Sequence, residues 1–214
     1  MRLTYDLQSA IFATGFRYDG RDRYLRGPNA GGIEHVIFLA RGHGASRGWV
    51  MASVAVRHQA VEATLVRLFR AIGLASLARE LARLGGGYSL GYSLGRARPQ
   101  DLTWNFPLRR PDGSTTSVAT AVERMLLLSR LFDLYRVYKE PHSWQGWLVG
   151  STQDLFRHLI TIETLLRHGE IAEQTTELDT LARNFAAQDD PTYSAALSSV
   201  SFEQLRALAR QSLT

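Results

Sequence analysis

Apolar positions recur along this chain with two periods, and the changes of period mark out its elements. Between residues 49 and 58, Val50, Ala52, Val54 and Val56 alternate with Met51, Ser53, Ala55 and Arg57. That period of two predicts a strand. Residues 33–40 are rich in β-branched and aromatic side chains and predict another. The connection 41–48 suits a hairpin loop, so these two strands are expected as antiparallel neighbours. Upstream, Leu7, Ile11 and Phe12 share one face of a short helix over 4–14, which Gly15 stops. Residues 16–18 and 23–26 read as extended, joined by the turn-prone pair Asp19-Gly20. Residues 27–32 read as a loop.

The period then lengthens. Val61, Leu65, Leu68 and Ile72 are spaced by four, three and four, a helical stripe over 60–72. Gly73 interrupts it and 74–84 continues. The segment 85–95 contains a tandem tetrapeptide, Gly87-Tyr88-Ser89-Leu90 then Gly91-Tyr92-Ser93-Leu94, and is expected as a surface turn. Residues 102–106 suggest a further strand and 111–114 a turn. Val118, Val122, Met125, Leu128, Phe132 and Tyr135 form the stripe of one long helix over 116–138. An aromatic connector, 142–150, follows Pro141. Helices are then expected over 151–167, ended by Gly169, and over 171–187. Ser201 with Gln204 is a capping box that opens a last helix to residue 212. This order predicts an α+β fold. A small antiparallel sheet lies in the N-terminal half, packed with helices, and the C-terminal half is all-helical. The regions 1–110 and 111–214 are expected to form one continuous domain.

Composition narrows the classes. The chain has 214 residues, enough for a sizeable core. It has no cysteine, which excludes disulfides, thiolate metal sites and a cysteine nucleophile. The N-terminus lacks the apolar stretch of a signal peptide, and no run reaches membrane-spanning length. A cytoplasmic protein with no membrane partner is expected. Of the 25 basic residues only Lys139 is lysine. Residues 1–110 carry 16 arginines against 7 acids; residues 111–214 carry 9 basic residues against 13 acids. This asymmetry fits a basic surface for nucleic acid. It fits equally two halves that complement each other.

No motif names a reaction. The glycine-rich segment 85–95 has no Gly-Lys-Ser/Thr and follows a helix, so neither a P-loop nor a dinucleotide fingerprint is present. The six histidines lack helical zinc spacing, and there is no Gly-x-Ser-x-Gly elbow. No cofactor, metal or catalytic set is expected. The candidates left are for partner binding. Arg41, His43 and Arg47 stand in a glycine-rich loop whose backbone N–H groups can converge on an anion. Tyr88 and Tyr92 lie in the tandem repeat. Trp144 and Trp147 lie in the connector and, with Tyr135 and Tyr138, suggest an interface or a ligand wall. Each has a plainer reading, as hairpin tip, surface turn or core packing. Asp189-Asp190-Pro191 reads as a helix-ending turn.

The opening pattern is a short helix ending at Gly15-Phe16, then Tyr24-Leu25-Arg26, the strand His35-Val36-Ile37-Phe38-Leu39 and a second strand from Trp49. Over residues 4–70 this resembles a group of small bacterial α+β domains, some encoded beside secreted toxins. The resemblance implies a cytosolic binding role, such as that of an immunity protein neutralising a toxin domain by direct contact. It carries no catalytic residues. The expected function is therefore a non-enzymatic protein-binding protein. The alternative is a nucleic-acid-binding module using the basic half, where Arg17, Tyr18, Arg21, Arg23, Tyr24 and Arg26 interleave.

Overall fold

The period-two stretch does build a strand, and the even-numbered spacing of the tandem repeat builds its neighbour. The computed structural model describes residues 9, 11–20, 23–41, 50–83, 87–97, 107–109, 115–144, 146–172 and 175–213. Helical turns at 11–13 lead into the strands β1 (Arg17–Tyr18), β2 (Arg23–Arg26), β3 (Ile33–Arg41) and β4 (Val50–His58). Helices α1 (Gln59–Ala71) and α2 (Ala75–Arg83) follow, then β5 (Leu90–Ala97), β6 (Pro107–Arg109) and β7 (Thr115–Ser117). The rest is helical: α3 (Val118–Leu127), α4 (Leu131–Lys139), a 3₁₀ turn (Pro141–Trp144), α5 (Thr152–Arg167), α6 (Thr175–Ala186), α7 (Pro191–Leu197) and α8 (Phe202–Gln211). The fold is α+β, with a five-stranded antiparallel sheet in order β1-β2-β3-β4-β5 and a mostly helical C-terminal half.

The chain forms two compact units that interleave along the sequence. A sheet unit comprises Met1–Arg57, Leu90–Ser129 and Trp144–Leu148. A helical unit comprises His58–Ser89, Arg130–Ser143 and Val149–Thr214. The expected regions 1–110 and 111–214 are thus each shared between units. Helices α1 and α2 join the C-terminal helices, while β7 and α3 join the sheet.

In the sheet unit, β4 buries Ala52, Val54 and Val56, and β5 pairs with it from Val50↔Ala97 to Val56↔Leu90. The tandem tetrapeptide is therefore not a surface turn. A four-residue repeat is a multiple of the strand period, so Leu90, Tyr92 and Leu94 all fall on one buried face. The outer edge of β5 is met by Leu148, whose N–H donates to the Gly91 carbonyl at 2.7 Å. Gly146 lies against the Tyr92 ring at φ +91°, and a Cβ there would enter the ring. On β3, the buried His35 donates from Nε2 to the Leu128 carbonyl at 3.0 Å.

That last bond belongs to a break the hydrophobic stripe conceals. The single helix expected over 116–138 is instead β7, α3 and α4. The Leu128 carbonyl is taken by His35, and the Ser129 carbonyl accepts from Asn29 Nδ2 at 2.7 Å. Neither carbonyl continues a helical ladder. The new start is fixed by Asp133, whose carboxylate accepts from the Arg130 N–H at 2.9 Å. A further helix, α7, follows the acid pair: Asp190 accepts from the Thr192 N–H at 2.9 Å, and Pro191 occupies the first turn. The expected strand at 102–106 and turn at 111–114 lie outside the described residues, as does the hairpin loop beyond Arg41.

The helical unit packs around α5. Phe156, Leu159, Ile160, Ile162 and Leu165 are all buried on this helix. The Phe156 ring meets Phe69 of α1 edge-on at 5.0 Å and Phe185 of α6 at 4.9 Å. Two buried carboxylates are paired with arginines in this core. Arg157 donates to Glu62 from Nε at 2.9 Å and from Nη2 at 3.2 Å, and Ser89 Oγ donates to the same carboxylate at 2.9 Å. Glu163 accepts from Arg206 at 2.7 Å and Arg210 at 2.6 Å. Gly87 sits so close to the first pair that a Cβ would strike the Arg157 guanidinium.

Candidate functional site

A cleft of about 870 Å³ opens within the helical unit. Three elements build it, each by its own periodicity. Helix α6 turns Thr176, Glu177, Thr180, Leu181 and Asn184 toward it, positions one, three and four apart that share one face. Helix α5 contributes Asp154, Leu155 and His158. The last turn of α4 gives Tyr138 and Lys139, and the chain leaving it adds Pro141. Val149 and Gly150 complete the rim just before Ser151 caps α5.

Its polar wall is one connected cluster. Glu177 accepts from Tyr135 Oη at 2.7 Å and from His158 Nε2 at 2.9 Å, and the Lys139 ammonium stands 3.8 Å away. Burial works against ionisation of Glu177, but these donors and charges outweigh it and hold its carboxyl below the usual range. The His158 ring stacks on Tyr138 at 5.4 Å. Tyr138 Oη donates to the Ser89 carbonyl, and burial pushes its ionisation well above the ordinary tyrosine range. Asp154 is committed to structure: it accepts from the Gly150 and Ser151 N–H groups and from Arg157. The apolar wall consists of Pro141, Val149, Leu155, Leu181 and the Tyr138 ring.

An ionised carboxylate only accepts, so His158 Nε2 carries the hydrogen of its bond to Glu177. In the neutral ring the lone pair is then on Nδ1. Nδ1 makes no hydrogen bond to any described residue, and the side chain is 12% exposed. Among the described residues, His158 bonds to no hydroxyl.

The residues singled out from sequence are elsewhere. Arg41 ends β3, and His43 and Arg47 lie outside the described residues. Tyr88 is half-buried before β5. Tyr92 and Trp147 are buried and face each other edge-on at 5.8 Å within the sheet unit, so they present no open ring. Trp144 is half-buried at the end of the 3₁₀ turn. Of the four-ring cluster suggested by sequence, Trp144 and Trp147 belong to the sheet unit, while Tyr135 and Tyr138 belong to the helical unit. Sequence reasoning missed Glu177, His158 and Lys139 as a group. Their separations, 19 residues in one case and 38 in the other, match no motif; the one signal was that Lys139 is the sole lysine.

Among the described residues no helix is long and apolar enough to cross a membrane, and no three histidines or acids converge as a metal site. Comparison with known proteins finds no matching family model, no matching curated protein and no matching solved structure.

Proposed function

We propose that this is a non-enzymatic binding protein whose ligand is a small, mainly apolar molecule held in the helical-unit cleft. The observation that carries this reading is the cleft itself, an apolar hollow with one convergent polar cluster at Glu177. Such hollows with a few placed polar groups and a perturbed ionisable residue are the usual form of small-molecule sites. Its volume lies in the range such sites span, on the order of 300–1,000 Å³. The test is a ligand-observed NMR screen of small apolar fragments, with Thr180→Trp as control. Thr180 is an exposed residue of the rim, so the bulky ring fills the cleft and spares the core. Hits that lose binding in the variant support the reading. A screen without hits, or with hits indifferent to Thr180→Trp, refutes it.

A second reading rests on the sheet unit. Phe12 and Tyr18 are 47% and 56% exposed, and their rings lie 6.1 and 5.4 Å from that of Tyr24. Arg17 and Arg26 are exposed on the same pair of strands. Rings flanked by arginines suit stacking on single-stranded nucleic acid. Anisotropy titrations with a labelled single strand should show affinity that falls steeply with salt and drops several-fold in Tyr18→Ala. Salt-independent binding, or none, removes this reading. Of the residues expected for toxin neutralisation, Tyr92 and Trp147 are buried, and Tyr88 and Trp144 are half-buried.

A further inference from the structure

We infer that His158 Nδ1 is the specificity element of the cleft and selects ligands bearing an N–H or O–H donor on an apolar body. This rests on the cleft reading above and narrows it to a ligand class. The argument is one of valence. Glu177 is held ionised by Tyr135, His158 and Lys139, so it fixes the hydrogen of the neutral imidazole on Nε2. The other ring nitrogen has a lone pair and no hydrogen bond to any described residue. It belongs to a residue that lines the cleft, beside the apolar side chains of Leu155 and Leu181. Lys139 and Glu177 already stand 3.8 Å apart at this wall, which weakens the case for a simple anion or cation as the ligand. A neutral donor on a flat apolar frame meets both features of the site.

Two of the other polar groups at this wall are committed. Tyr138 Oη bonds to Ser89, and the Asp154 carboxylate is occupied by the α5 cap and Arg157. His158 is held on both sides, by the Tyr138 stack at 5.4 Å and by the Glu177 bond at 2.9 Å. Its lone pair is therefore presented in one direction, the preorganisation that lets one hydrogen bond discriminate.

The experiment uses the full chain in mildly alkaline buffer. Long-range proton–nitrogen NMR reads the His158 tautomer directly; hydrogen on Nε2 is expected, and hydrogen on Nδ1 overturns the inference. Titrations then compare indole with benzothiophene, which has nearly the same shape but no N–H. Indole should bind about three- to tenfold more tightly, the span of one net hydrogen bond, and shift the Nδ1 resonance. In Glu177→Gln the side-chain amide can donate to Nε2 and admit the other tautomer, so the preference should fall toward unity. A circular-dichroism melt establishes that this variant is folded. Equal affinity for the two probes in the parent protein overturns the inference and leaves the cleft reading standing. Binding of neither probe overturns both.

Discussion

His35 shows how one buried side chain makes the sheet unit sensitive to pH. It is 5% exposed on β3, and burial pulls its ionisation below the ordinary histidine value. The Leu128 carbonyl pulls the other way and loses, and the charge of Arg26 adds to the lowering. With the folded value below the unfolded one, the unfolded chain binds the extra proton first. The stabilising contribution is full above about pH 6.5 and is lost as pH falls through the folded value. Glu177 also has a lowered value, but its contribution is lost only as pH falls through the carboxylate range. Melting temperatures at about pH 7.5 and 5.5 therefore separate histidine from carboxylate titration, and the variant assigns the effect to His35. The parent protein should be less stable at the lower pH, and His35→Gln should lose much of that difference. An unchanged difference in the variant would remove His35 as the cause. At this scale the sequence shows a histidine in an apolar strand, but not its partner carbonyl, which lies 93 residues on.

At the scale of elements, the ties that matter join helices far apart in sequence. Glu62 on α1 and Arg157 on α5 are 95 residues apart, with side chains 3% and 6% exposed. Both charges are desolvated: removing Arg157 strands the Glu62 carboxylate, and removing Glu62 leaves Arg157 only its pair with Asp154 at 3.2 Å. Glu62→Leu or Arg157→Met alone should cost about 3–5 kcal/mol in urea unfolding. The double variant should lose much less, because no charge is stranded. Additive losses would mean that the pair acts through packing alone. The elements themselves were largely legible where one rule governed. The alternation at 50–56 gave β4, and Ser201 with Gln204 gave the start of α8, where both reciprocal cap bonds form. They were not legible where two rules competed. The stripe from Val118 to Tyr135 satisfies a helix throughout, yet side-chain bonds from Asn29 and His35 take the carbonyls at 128 and 129. The glycines of the tandem repeat suggested a turn, and the even spacing of Leu90, Tyr92 and Leu94 won because that face could be buried.

For the whole molecule, charge and chain order part company. The basic excess expected for residues 1–110 follows the sheet unit, which has 13 arginines against 7 acids; the helical unit has 12 basic residues against 13 acids. The two proposed sites divide in the same way, the arginine-flanked rings in the first unit and the cleft in the second. By itself the sequence determined the fold class, the period of most elements, several caps and the absence of cysteine chemistry. These are local or additive properties, set by spacing along a few turns or by composition. Only the tertiary structure decided which helices share a core, where the long stripe breaks, and that His158, Glu177, Tyr135 and Lys139 meet. The reason is physical: a polar cluster assembled from three helices requires only that each residue lie on the right face of its own helix. That leaves no spacing between the helices for the sequence to display.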